Sequence, residues 1–314
     1  MLTCTDAELE AILNPDEVIA AIRSAFADGF SKVQMPNRLH LEMDTGTQLM
    51  MPCATAGESV WGIKIVTVLR EAGPKGRVRA TYLLLDDRSQ IIATFEANYL
   101  TDLRTAATSA IATDLLARSD VAVLGIFGTG RQAAAHVAML SRIRPFQRVL
   151  VAGSSLRKGD AFAGRMRERY RVDIVATDAL TCASTSDVIC TCTSSSEPLF
   201  PGDAVRAGTH LNLIGSFQPH VREVDSVLIR RSRVFVDLRQ AGFAEAGEIL
   251  IPIEAGEINR EHVVGDLHEL VIGSKPGRKS REDITVFKSV GCALEDLVTA
   301  GLAMRAWQKK EENT

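Results

Sequence analysis

Aromatic residues are scarce in this chain, 5% of 314, so any core must rest on Ala, Val, Ile and Leu rather than on large rings. A run of 18 or more apolar residues is missing, which leaves no stretch suited to a membrane-spanning helix. An excess of positive charge is missing too. The 36 Lys and Arg stand against 39 Asp and Glu, for a net charge of −3, which offers no general attraction to nucleic acid or to an anionic membrane. The opening residues MLTCTDAELE are acidic and polar, unlike the basic-then-apolar layout of a signal peptide. Cysteines at 4, 53, 182, 190, 192 and 292 form no C-x-x-C pair, and Cys190 and Cys192 lie in an apolar, strand-like run. Reduced, buried thiols and a cytoplasmic location are therefore expected. No metal site is expected, since neither these cysteines nor the six histidines fall at ligand-like spacing. Internal repeats and low-complexity stretches are absent as well.

What is present has the length and grammar of two domains. Asn14 can cap a helix, Pro15 fits its first position, Asp16 and Glu17 suit its positive end, and Gly29 can close it. Val18, Ile19, Ile22, Ala25 and Phe26 recur between them at helical spacing. This helix reads as the first element. Strand-like runs follow at Arg38–Met43, Gln48–Met51, Val60–Leu69, Val78–Leu85 and Gln90–Glu96, separated by turn signals that include Asp44-Thr-Gly46 and Gly73-Pro-Lys-Gly76. A helix rich in Ala and Thr is expected from Leu100 to Ala117. From Val121 the pattern becomes strand, glycine turn, helix, strand. Strands are expected at Val121–Phe127, Arg148–Ala152, Ile174–Ala176, Val188–Cys192, His210–Ile214 and Val234–Asp237, and helices at Arg131–Ser141 and Cys292–Gln308. Short apolar runs alternating with helices suit a parallel sheet buried on both faces. The fold class is thus α/β, a Rossmann-type dinucleotide-binding domain at residues 116–292 beside an α+β domain at residues 1–115 with 293–314.

Gly128-Thr-Gly130-Arg-Gln-Ala133 follows an apolar strand and opens a helix. In that context the first glycine permits the tight turn, the second lets backbone approach a pyrophosphate, and Ala133 lets the helix pack close. Free N–H groups at the helix start complete a phosphate cradle. The second strand decides which nicotinamide dinucleotide is used, because an NAD site places a carboxylate at its tip to bond the ribose 2′-hydroxyl. Here the tip reads Gly153-Ser154-Ser155-Leu-Arg157-Lys158, two hydroxyls and two cations that suit a 2′-phosphate. NADPH is the expected cofactor, with NADH the second choice; Arg157 and Lys158 also read as solvated helix-start charges. In the first segment Lys64 interrupts an apolar strand, where it needs a partner or a lowered pKa. Arg104 falls in the first turn of its expected helix, against the dipole, and Arg38 opens a strand after Pro36. Each reads alone as an ordinary salt-bridged side chain; together, beside a dinucleotide site, they suggest a substrate that bears a carboxylate.

Leu103-Arg-Thr-Ala-Ala-Thr-Ser-Ala110, the Gly128–Ala133 turn, Gly215-Ser-Phe-Gln-Pro-His-Val-Arg-Glu-Val-Asp225 and Val286-Phe-Lys-Ser-Val-Gly291 together resemble the ornithine cyclodeaminase/mu-crystallin family, in order and over nearly the whole chain. The resemblance implies a homodimer formed through the N-terminal domain, with the C-terminal helix rejoining that domain. It implies that Arg38, Lys64 and Arg104 hold a substrate carboxylate near the nicotinamide. It places cofactor contacts at Thr129, Gly130, Arg131 and Gln132, at Thr193, at Leu211–Ile214 and at Val290. Members that cyclise ornithine carry an aspartate where this chain has Phe217, and a phenyl ring is neither acid nor base. The segment resembles instead the branch that reduces cyclic ketimines such as Δ1-pyrroline-2-carboxylate. Reduction of a small cyclic imino acid is therefore expected. Ornithine cyclisation, alanine dehydrogenase-like reductive amination and non-catalytic storage of a small ligand with NADPH are the alternatives. His220, Glu223 and Asp225 read either as proton donors or as caps of neighbouring backbone. Asp237 and Glu245 are candidates to line the cleft, without an assigned role.

Overall fold

Capping chemistry organises the first thirty residues. Strand β1 (Leu2–Cys4) precedes helix α1 (Asp6–Ile12), whose N-cap Thr5 accepts from Glu8 N at 3.3 Å while the Glu8 carboxylate accepts from Thr5 N at 2.8 Å. Helix α2 (Pro15–Asp28) starts at the expected cap, with Asn14 accepting from Asp16 N at 2.9 Å, and closes at Gly29, φ +74°. It is not the first element: β1 and α1 come before it. Both are too short for periodicity to reveal, and β1 exists because it pairs in parallel with the distant Ile91–Glu96. The computed structural model describes residues 1–73 and 76–312.

Strands β2 (Val33–Gln34), β3 (Leu39–Met43), β4 (Gly46–Thr55), β5 (Val60–Gly73), β6 (Gly76–Asp86) and β7 (Ile91–Glu96) complete a sheet in the order β1-β7-β6-β5-β4-β2, with β3 also paired to β4. Gly73 pairs with Gly76 at the expected turn, whose Pro74 and Lys75 lie outside the described residues. One row across this sheet fixes the chemistry that follows. Cys4, Phe95, Tyr82, Lys64 and Met51 stand opposite one another on five strands, and each is at most 4% exposed. Lys64 is thus the charged member of a buried, otherwise uncharged row.

Helix α3 (Asn98–Leu116) begins earlier than its composition suggests. Its cap is supplied from far away, by the Asp6 carboxylate, which accepts from Tyr99 N at 2.7 Å and from Asn98 Nδ2 at 2.9 Å. Arg104 consequently sits in the second turn, and the expected opposition to the helix dipole does not arise.

The chain forms two units, Met1–Thr108 with Cys292–Thr314 and Ser109–Gly291. The division falls within α3, and the boundary expected after residue 115 stands at the end of that helix. The second unit holds β8 (Val123–Phe127), α4 (Arg131–Ile143), β9 (Arg148–Ala152), α5 (Leu156–Arg169), β10 (Asp173–Ala176), α6 (Ala179–Thr185), β11 (Val188–Thr191), β12 (His210–Leu213), α7 (Ser226–Arg231), β13 (Ser232–Val236), α8 (Arg239–Glu245), α9 (Gly247–Glu254), β14 (Val263–Asp266), α10 (Leu267–Val271) and β15 (Ile284–Lys288). The sheet order is β10-β9-β8-β11-β12-β15-β13-β14, with every pairing parallel. This is a Rossmann-type sheet: successive strands run outward from β8 to β10 and then reverse from β8 to β11, which sets the topological switch point. Strands β11, β12 and β15 are buried throughout, as continuous parallel strands should be. Strands β14 and β15 were not among the expected ones; Thr285 and Lys288 dilute the apolar signal of β15, which nevertheless inserts between β12 and β13. Helix α11 (Ala293–Glu312) returns to the first unit and packs on α2, β4 and β5.

Two buried imidazoles tie the second unit to pH. Burial pushes His136 down to about 4, and burial with the nearby Arg278 charge pushes His210 down to about 3. A base with a depressed folded pKa stabilises the fold above its unfolded value near 6.5, and that contribution is lost as pH falls toward the folded value. Unfolding should therefore be easier at pH 5 than at pH 7, by about 2 kcal/mol for each imidazole. Urea titrations should show this, and His210→Gln should flatten the slope while lowering stability at pH 7.

Candidate active site

All eight parallel strands point their carboxyl ends the same way, so the loops that follow them share one edge. Gly128, after β8, has φ +114°, and a Cβ there would lie 2.5 Å from the Cys192 carbonyl oxygen that follows β11. Only glycine lets these two loops approach. Gly130 is the N-cap of α4, with no side chain bonded over the helix start, and a Cβ at Gly130 would meet nothing within 4 Å. The start of α4 therefore has room beside Gly130 for a ligand's phosphates, which a helix N-terminus favours. Thr129, Arg131 and Gln132 flank that opening, and all three keep some exposure.

At the tip of β9 the expected hydroxyls and cations assemble. Ser155 caps α5 by accepting from Lys158 N at 3.3 Å, and Ser154 Oγ accepts from Lys158 Nζ at 3.2 Å. Arg157 occupies the same exposed first turn, which contains no acidic residue.

Buried carboxylates shape the rest of the edge. Glu223 accepts from Thr191 Oγ1 at 2.6 Å, from Thr193 N and Oγ1 at 2.7 Å each, and from Gly215 N at 2.8 Å. Asp237 accepts from Ser289 Oγ at 2.9 Å, Val290 N at 2.8 Å and Gly291 N at 2.6 Å. Lys288 Nζ donates to Ser216 O at 2.6 Å and pairs with Glu248 at 3.1 Å. These bonds pin the loops after β11, β12 and β15, where Thr193, Ile214 and Val290 stand. Glu223 and Asp225 thus behave as caps of neighbouring groups, Asp225 by accepting from Leu228 N and Gly202 N. Phe217 is half-buried against the hydrophobic core of this unit. Leu211 is the second residue of β12 and fully buried in the core, whereas Ile214 follows the strand's carboxyl end.

In the first unit, Lys64 and Arg104 come together around two acids from the first turn of α11. Asp296 Oδ1 accepts from Lys64 Nζ at 2.8 Å and from Arg104 Nε at 3.0 Å, while Glu295 Oε2 accepts from Arg104 Nη1 at 2.6 Å. Lys64, Glu295 and Asp296 are at most 1% exposed. Burial, then the Arg104 charge, push the Lys64 ammonium down to about 8, against the pull of Asp296. Burial pulls Arg104 down, but Asp296 and Glu295 outweigh it and hold the guanidinium firmly charged. Arg38, half-buried ahead of β3, is near enough for its charge to lower Lys64 further. Sequence reasoning missed Glu295 and Asp296; the available signal was a pair of adjacent acids opening an otherwise Ala- and Leu-rich helix.

With this geometry in place, known proteins bear on the site. The chain matches the ornithine cyclodeaminase/mu-crystallin family over residues 1–311. It belongs to that family. The Δ1-pyrroline-2-carboxylate reductase of Bacillus cereus is 32% identical over 308 residues, covering 96% of this chain and 94% of its own. The Δ1-pyrroline-2-carboxylate reductase of Thermococcus litoralis, solved with NADH and L-proline, superposes with a TM-score of 0.94 at 31% identity, over 99% of this chain and 98% of its own. An archaeal alanine dehydrogenase dimer with bound NAD superposes at 0.92 and 28% identity, over 99% and 97%. Within the family fold, the opening at Gly130 yields a direct test. Because Gly130 has an ordinary φ of −88° and space for a methyl group, Gly130→Ala should fold, its lower chain entropy when unfolded offset by the poorer N-cap, so that stability changes by no more than about 1 kcal/mol. The same change should weaken dinucleotide binding at least tenfold in a fluorescence titration.

Proposed function

We propose that this family member reduces a small cyclic imino acid, Δ1-pyrroline-2-carboxylate or a close ketimine, to the cyclic amino acid. The observation that carries the reading is the buried Lys64 ammonium, titrating near 8 and held beside Arg104. A group poised there can give a proton to nitrogen near neutral pH. A nicotinamide dinucleotide, when bound, supplies the hydride. The Gly128–Gln132 turn would hold its pyrophosphate, and Thr193, Ile214 and Val290 stand on the pinned loops of the same edge. Arg38 and Arg104 would clamp the substrate carboxylate, lowering the entropic barrier to reaction. As hydride adds to the C=N carbon, the π pair settles on nitrogen and Lys64 provides the proton, which it regains from solvent. Phe217, packed on a core, has no acid to offer an ornithine amine, which disfavours cyclodeamination. Reductive amination of pyruvate needs the same carboxylate clamp and is the second reading.

We take NADPH as the preferred cofactor, on this chain's own residues: Ser154, Ser155, Arg157 and Lys158 at the β9 tip, with no acid in that turn. A homodimer is supported by Leu39 and Leu41, 63% and 50% exposed on β3, apolar surface that association would cover. Sedimentation should give twice the chain mass, and Leu41→Lys should shift it toward the monomer.

Nicotinamide oxidation followed at 340 nm against Δ1-pyrroline-2-carboxylate, Δ1-piperideine-2-carboxylate, and pyruvate with ammonia tests the reading. A cyclic imino acid should give the highest kcat/KM, larger with NADPH than with NADH. Lys64→Met should lower that value roughly 10²-fold or more while dinucleotide affinity stays within about twofold. Retention of most imine reduction by Lys64→Met, or preference for pyruvate, overturns it.

A further inference from the structure

We propose that Asp296 is a positioning residue that divides two neighbouring cations between two tasks, keeping Lys64 for the substrate's nitrogen and turning the far edge of Arg104 to its carboxylate. The division of labour rests on the imine-reductase reading above; the geometry beneath it does not. One oxygen, Asp296 Oδ1, holds both Lys64 Nζ at 2.8 Å and Arg104 Nε at 3.0 Å. Glu295 takes Arg104 Nη1 at 2.6 Å. The guanidinium's Nε and one hydrogen of Nη1 are thereby committed to α11, which leaves Nη2 as the nitrogen with both hydrogens to offer a ligand, on a side chain that keeps 7% of its surface. Asp296 Oδ2 is buried and takes no hydrogen bond among the described residues. That second oxygen gives the ammonium an alternative acceptor as it turns a hydrogen outward.

Charge counting supports the assignment. Lys64 and Arg104 against Glu295 and Asp296 sum to zero, so the quartet alone is no anion trap. Arg38 brings a further positive charge close enough to act on Lys64. Removing the Asp296 charge would upset this balance at the one residue that both cations share. The titratable and charged groups of the Lys64–Arg104 cluster and its surroundings come from several elements. Asp296 and Glu295 lie on α11, Arg104 on α3, and Arg38 ahead of β3. Tyr82 stands opposite Lys64 on β6, and Cys53 is on β4. Burial pushes Tyr82 well above its usual range and Cys53 up to about 12, so neither changes charge near neutrality. Asp296 is the attractive partner of Lys64, and Arg104 and Arg38 the repulsive ones.

Purified Asp296→Asn and Glu295→Gln enzymes, compared with the unaltered chain from about pH 6 to about 10, separate the two tasks. With Δ1-pyrroline-2-carboxylate, Asp296→Asn should lower kcat roughly 10²-fold at pH 8 and move the alkaline limb of the profile to lower pH. Glu295→Gln should raise KM about tenfold, the order expected for a weakened charged hydrogen bond, with the limb unmoved. A titration of the Lys64 Nζ resonance in ¹⁵N-lysine-labelled protein reads the same shift without turnover: near 8 in the native chain, lower in Asp296→Asn, unchanged in Glu295→Gln. If Asp296→Asn fails to fold, Asp296→Glu, which keeps the charge, should lower kcat with the Lys64 titration in place. An alkaline limb and a resonance that both stay put in Asp296→Asn overturn the proposal, as does an equal shift in Glu295→Gln. Failure of the native enzyme on every imine sinks the functional reading instead, and the resonance titration still decides what Asp296 does to Lys64.

Discussion

An ammonium buried in the middle of a β-sheet is the constraint from which the first unit is built. Lys64 stands in a row with Cys4, Phe95, Tyr82 and Met51, all at most 4% exposed. A charge in such a place must be neutralised or paired. Asp296 pairs it, and that choice commits α11 to the sheet, because the acid must arrive with its first turn. Arg104 then needs its own acid, and Glu295 is the next residue along. An all-apolar row would be easier to fold; the lysine is the costlier choice, in keeping with the role proposed for its proton and charge.

The second unit follows a different logic. Its candidate residues are displayed on loops, and the structure spends its buried charge on holding those loops. Glu223 accepts four donors from Thr191, Thr193 and Gly215, and Asp237 gathers the N–H groups of Val290 and Gly291. Such acceptors lose heavily if left unpaired, so the loop positions are tightly determined. A dinucleotide needs this rigidity and, on the same edge, room at a helix start, which Gly130 leaves by carrying no side chain.

The sequence displayed some of this and hid the rest, for physical reasons. Local signals were legible: the Asn14 cap, the Gly29 stop, and the strand-glycine-helix run at Gly128 each depend on a few adjacent residues. Strand β9 was expected with its observed ends because its apolar run is bounded by Arg148 and Gly153. Non-local partners were not legible. The start of α3 is set by Asp6, ninety-three residues before Tyr99. The partner that Lys64 visibly required lies 232 residues away. Sequence reasoning could state that Lys64 needs a counter-charge; only the fold says which.

That separation along the chain has a consequence for how the first unit is completed. Residues 1–108 contain both buried cations, whereas Glu295 and Asp296 follow the whole of the second unit. Until α11 docks, Lys64 and Arg104 would have to be buried without their acids, which costs several kcal/mol for each unpaired charge, or remain hydrated. The hydrated alternative is the accessible one, so the interior of this sheet should close only when the C-terminal helix arrives. Long loop closure is entropically modest beyond the first few dozen residues, and the intervening segment is itself a folded unit that shortens the search. The carboxylates are therefore more than tuning for the two cations: they make burial of Lys64 and Arg104 conditional on the arrival of α11.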